Sequence, residues 1–278
     1  MISAFVAAIT NAIEVLASKE VLSGHKMPSK TLFSFGSALI FFVSTVFFLF
    51  WGEIDFYQIS FFHWIIFGAI ILVAYFYNYL YYDGLKGGLI CDVEPIIMSY
   101  PLLTMILATI IYPDERNWHV LVPAFIAGFV LIYSRYERNR FKINKYSALM
   151  FGYAFLAAIE AIFIKYTLEI MSPIALYTIR IGILSFLFLV FAKPDLSKFK
   201  KKSWPLMILI SIVVPIELMT LYTAIDRLGL VVANLIFLIG PVLILSISKF
   251  LFKEKVTVKR ALSNIVILIC IAVAILIS

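Results

Sequence analysis

Charge is what this chain has least of. Asp, Glu, Lys and Arg make up 14% of its 278 residues, against about 25% in an average soluble domain. Hydrophobic residues make up 63%, and mean hydropathy is +1.04. Surface-to-volume scaling leaves too little interior in a soluble fold of this length to hide so much apolar surface, which excludes a soluble enzyme. Cysteine is almost absent: Cys91 and Cys270 lie in or beside apolar runs, and two thiols make no disulfide framework. The three histidines, His25, His63 and His119, fall at the ends of apolar runs, and no Cys/His cluster suggests a metal. There is no N-x-[ST] acceptor, and the N-terminus has neither the basic segment nor the cleavage site of a signal peptide. No H-E-x-x-H, P-loop or G-x-S-x-G pattern occurs, so neither catalysis nor ATP-driven transport is expected of this chain, and no cofactor.

What is there is apolar runs. A bilayer core of about 30 Å needs about 20 apolar residues in a helix. Ten runs qualify: Ile2–Val21, Thr31–Trp51, Phe62–Tyr82, Gly88–Tyr112, Trp118–Ser134, Tyr146–Leu168, Pro173–Ala192, Trp204–Ile225, Gly229–Phe252 and Val256–Ile277. Their length and few internal turn signals predict helices rather than barrel strands. The expected fold is an all-α membrane protein of ten transmembrane helices.

The basic residues are distributed unevenly. Nineteen of the 23 Lys and Arg lie on the loops after the first, third, fifth, seventh and ninth runs, or at the adjoining helix ends. Arg116, Lys165 and Arg227 lie on the opposite side, and Arg180 lies inside a run. The positive-inside rule puts the nineteen in the cytoplasm and both termini outside it. The net charge of +7 suits anionic lipid headgroups and calls for no nucleic acid.

The two halves, 1–140 and 141–278, repeat one another. Ala12-Ile13-Glu14 and Lys19 recur as Ala158-Ile159-Glu160 and Lys165. Pro28 answers to Pro173, Tyr82 to Tyr222, and Pro101 to Pro241. Asp114-Glu115 and Lys253-Glu254-Lys255 each follow the fourth run of a half. Five helices per half insert the second repeat upside down relative to the first, an arrangement that suits alternating access around a midplane site.

Within these runs, Ala224-Ile-Asp-Arg-Leu-Gly-Leu, Gly240-Pro241 and Lys253-Glu254-Lys255-Val256, together with Tyr177-Thr-Ile-Arg180, resemble the drug/metabolite transporter superfamily, in particular its ten-helix EamA-like branch. The resemblance covers essentially the whole chain and implies a transporter. Phe35 stands where the first half would repeat the arginine, and Glu14 and Glu160 stand where many members carry a neutral residue. The resemblance implies cytoplasmic termini, opposite to the charge count.

Charged groups at bilayer depth are expensive and mark function or pairing. Glu14 shares a helical face with Asn11 and Ser18, and Glu160 with Tyr153 and Thr167. The repeat sets the two carboxylates on equivalent faces, where they would exchange proton and substrate. The small multidrug resistance family, built from four-helix dimers, is similar in carrying one first-helix glutamate per subunit. Arg180 is expected either to hold an anionic group or to neutralise Glu160 or Glu217. Glu217 follows Pro215 and is a second coupling candidate.

Tyr75 and Tyr79 are read as aromatic cavity walls for a cation, and Tyr81 and Tyr82 as an interfacial belt. Tyr100, Thr104 and Asn234 are read as polar wall, Asp92 and Glu94 as gate residues near the membrane surface. Pro95, Pro101, Pro215 and Pro241 are read as hinges. The expected function is secondary, proton-coupled transport of a small metabolite or organic cation across the cell membrane, by a monomer or homodimer. The alternatives are a carrier of an anionic or zwitterionic metabolite such as an amino acid, anchored by Arg180, or a lipid-linked flippase.

Overall fold

The computed structural model describes residues 1–54, 59–87, 96–97, 99–135, 145–192, 194–195, 199–240, 242–244, 247 and 258–277. The described residues are overwhelmingly helical and form no sheet: α1 (Ile2–Lys19), α2 (Ser29–Trp51), α3 (Phe61–Gly87), α4 (Tyr100–Ile111), α5 (Trp118–Arg135), α6 (Lys145–Thr167), α7 (Pro173–Leu187), α8 (Trp204–Phe237) and α9 (Val258–Ile277). Single π-helical turns extend α1 over Glu20–Gly24 and α7 over Phe188–Ala192.

Six helical stretches among these residues are long and apolar enough to cross a membrane, and three further apolar helices are shorter. One of the six, Lys201–Ile244, has 44 residues and exceeds a single crossing. Large apolar side chains stand on the outer surface, with Ile2, Phe61 and Phe129 about 80% exposed. That surface matches hydrocarbon, not water. The chain is an all-α, multi-pass integral membrane protein.

Small residues draw the helices together. Ala4, Ala7, Ala8 and Ala12 form a buried stripe on α1, which packs along α8. Ala154, Ala157, Ala158 and Ala161 do the same on α6, which packs along α3. Stripes of this kind let backbones approach where no hydrophobic force acts between helices in lipid. Further out, α2 packs on α7 and α5 on α9.

Local chemistry sets the ends. Ser172 caps α7: its Oγ accepts the Ala175 N–H at 3.3 Å, and Pro173 takes the first helical position. The same hydroxyl accepts the Glu53 N–H at 3.0 Å, tying the loop after α2 to the start of α7. The first run of α3 outlasts its expected end at Tyr82 by five residues, so Gly84 and Gly87 are helical rather than part of a turn.

Two of the proline positions read as hinges lie among the described residues. Pro101 stands in the first turn of α4, where its missing N–H costs little. Pro215 lies inside α8, but the non-helical dihedrals fall at Gly229 (φ 80°, ψ 170°). That is where the sequence starts a new run, and only glycine adopts such a backbone without strain. Pro95 and Pro241 lie outside the described residues, as do Asp92, Glu94 and the Lys253-Glu254-Lys255 segment.

Candidate functional site

The buried polar residues converge where α1, α3, α6, α7 and α8 meet. Glu14, Glu160, Glu217 and Arg180 are each less than 10% exposed, as is Asn11. Three small cavities, of about 100, 70 and 60 Å³, surround them. Tyr77 and Leu218 lie on the walls of all three. Sites that engulf a drug-sized ligand run to about 300–1,000 Å³, so each of the three is small beside them.

The four charged groups fall into two sets. Glu160 and Arg180 form an ion pair: the Arg180 Nε donates to Glu160 Oε1 at 2.7 Å, and both side chains are at most 5% exposed. Arg180 Nη2 also donates to the Tyr77 hydroxyl. Arg180 therefore neutralises Glu160, one of the two partners the sequence allowed. Glu14 and Glu217 instead take neutral donors. Ser18 Oγ and Tyr81 Oη donate to Glu14 at 2.7 and 2.9 Å. Asn11 Nδ2 donates to Glu217 Oε1 at 2.9 Å. No lysine or arginine among the described residues pairs with either carboxylate. Both line the largest cavity, together with Asn11, Tyr77, Asn78 and Tyr153.

The second cavity is walled by Glu160, Glu217, Tyr100, Tyr222 and Asn234 among others. Asn234 spends its own Nδ2 on the Leu230 carbonyl at 2.8 Å, one turn back. Thr104 is fully buried and back-bonds to the Tyr100 carbonyl at 2.9 Å. The third cavity lies against Arg180, Tyr177, Asn78 and Ser37. The Tyr177 hydroxyl there is buried and has no hydrogen-bond partner.

The aromatic face of α3 differs from the expected one. Tyr77, Asn78, Tyr81 and Tyr82 line the largest cavity. Tyr81 and Tyr82 are buried, not an interfacial belt. Tyr75 and Tyr79 line none of the three cavities and pack behind Phe188 and Phe33, which line the third, with Phe33–Tyr79 centroids 4.6 Å apart. Six of the seven residues from 75 to 82 other than Asn78 are aromatic, leaving no apolar–polar contrast by which periodicity could choose a face. The i, i+4 pairs Tyr77/Tyr81 and Asn78/Tyr82 carry the one distinguishing mark, the lone asparagine.

A second polar cluster closes the molecule at one end. Glu115 is buried below α4 and accepts the backbone N–H groups of Leu230 (2.6 Å) and Val231 (3.1 Å), just after the Gly229 break. It caps the freed N-terminus of the second arm of α8, where an anion is favoured. Lys165 Nζ donates to Glu115 at 2.7 Å and to Asp114 at 2.9 Å. The hydrogen bond from Lys165 holds the Asp114 carboxyl below the ordinary carboxylate range. Sequence reading placed Asp114-Glu115 at a helix end but not against Gly229; an acidic pair after one run and a glycine opening another were the available signal.

Among the described residues no group of three or more His, Cys, Asp or Glu could hold a metal ion. A solved crystal structure superposes with a TM-score of 0.73 over 98% of this chain and 96% of its own length, at 14% identity. That likeness concerns the fold alone. No functionally curated protein matches the chain. Residues 144–276 match the model of the EamA-like transporter family. The carboxy-terminal half thus carries the EamA-like pattern, which supports the drug/metabolite transporter superfamily for this integral membrane protein.

Proposed function

We propose that the chain is a secondary transporter of small cationic metabolites, built as ten membrane spans in two inverted five-helix repeats and driven by proton exchange. The observation that carries this reading is the pair of buried carboxylates, Glu14 and Glu217, on one cavity with only neutral donors among the described residues. A buried carboxylate without a cationic partner is costly unless it takes a proton or a cation. Exchanging one for the other couples the two fluxes. Glu160 belongs with Arg180 in this reading, which in turn donates to Tyr77, and it is not an exchanging group.

Helix packing supports the inverted repeat. The contact of α1 with α8 in one direction has its counterpart in α6 with α3, while α2–α7 and α5–α9 pair equivalent elements. Small cavities between two such halves fit an occluded intermediate of alternating access. Transport, not catalysis, is what EamA-like membership implies.

The test is reconstitution into proteoliposomes with a pH gradient and a pH-sensitive dye inside. Addition of a transported cation should move protons in the opposite direction. Glu14→Gln and Glu217→Gln should each abolish that movement. Proton movement that persists in both variants defeats the reading.

A further inference from the structure

We propose that the Glu14–Glu217 cavity selects primary alkylammonium ions over quaternary ones, an inference that rests on the function proposed above. Asn11 Oδ1 is buried and has no partner, although its amide nitrogen is spent on Glu217. Glu217 receives a hydrogen bond on one oxygen only. Glu14 completes a set of acceptors on two helices, and among the described residues no basic side chain lines this cavity. A buried acceptor left without a donor is costly. A ligand that brings positive charge and several N–H donors meets all three groups at once. A primary ammonium carries three such donors; a quaternary ammonium carries none.

The aromatic residues point the same way. Quaternary ions are held by open ring faces. Here the rings occupy one another: Tyr81 lies 5.0 Å from Tyr153 and 5.1 Å from Tyr82, and Tyr77 lies 5.5 Å from Tyr153, centroid to centroid. Tyr81 further spends its hydroxyl on Glu14. The cavity of about 100 Å³ also favours a small head over four methyl groups. Gly240 faces Asn11 closely, since a Cβ at that position would stand 3.3 Å from Asn11 Oδ1.

The experiment is thermal unfolding of the purified full chain at pH 8 with ethylammonium, tetramethylammonium or guanidinium chloride at equal ionic strength. A ligand bound only by the folded state raises Tm by mass action. Ethylammonium should raise it saturably at concentrations where the other two do nothing, and Asn11→Ala should weaken that binding about tenfold. Equal or greater stabilisation by tetramethylammonium or guanidinium overturns the selectivity, and so does an Asn11→Ala protein that binds ethylammonium unchanged. The cation series on the unaltered chain decides the matter if Asn11→Ala does not fold. If tetramethylammonium binds and Glu14→Gln and Glu217→Gln abolish that binding, the carboxylate-centred transport reading stands while the selectivity falls. If no cation binds and both Gln variants still move protons, both fall.

Discussion

Glu160 and Arg180 illustrate how position within the fold decides what a buried charge is for. Each is nearly inaccessible, and each satisfies the other at 2.7 Å. Removing one partner strands the other in low dielectric, which costs about 3–5 kcal/mol; removing both in favour of neutral side chains is often close to neutral. Glu160→Gln and Arg180→Met should therefore each lower Tm sharply, and the double variant should recover most of the loss. A double-mutant cycle by thermal unfolding checks this, and additive losses would contradict it. Which carboxylate pairs was not legible in the sequence. Glu160 and Glu217 both sat at helical depth with Arg180 in reach, and only the packing of α6 and α7 on α3 brings one of them to it. The carboxylates, the arginine, Asn11 and Tyr100 were legible, because polar groups stand out against an apolar background. The tyrosines of α3 were not, because aromatic residues surround that helix on every side.

At the scale of elements, the break in α8 is fixed from outside the helix. The Gly229 backbone is one that a side chain resists, and a Cβ there would stand 2.6 Å from the Glu115 carboxylate. Gly229→Ala is expected to cost about 1–3 kcal/mol from strain alone. Glu115→Gln weakens two charge-assisted bonds to the exposed N–H groups and should cost about 1.5–3 kcal/mol. Asp114→Asn should cost less than either, since Asp114 is 70% exposed and surface pairs contribute little. The order of the three melting temperatures tests the assignment. Asp114 has its pKa lowered, so its small contribution is present above the ordinary carboxylate range and is lost as pH falls through it. Helix existence was legible from run length, and the start of a new run at Gly229 from the motif around it. Proline marked positions rather than breaks: Pro101 stands in the first turn of α4 and Pro215 inside α8, while the non-helical dihedrals of α8 fall at Gly229.

For the molecule as a whole, the charge asymmetry makes an orientation testable. On a Cys91→Ala, Cys270→Ala background, Glu53→Cys and Lys201→Cys occupy exposed positions on opposite sides of the expected span order. In intact cells a membrane-impermeant maleimide should label the first and spare the second, if the nineteen basic residues face the cytoplasm. The reverse pattern would establish cytoplasmic termini. The same two positions also report on the repeat, since an even number of crossings between them would place both labels on one side.

The bonds from Leu230 and Val231 to Glu115 join residues 115 and 116 positions apart in the chain. During synthesis, the first half reaches the membrane long before those N–H groups exist. Until they arrive, Glu115 has no helix end to cap and must stay hydrated at the bilayer surface. The cap therefore works as a late seal: a nascent chain truncated before residue 230 keeps an exposed acidic loop, and completion of the second arm of α8 withdraws it.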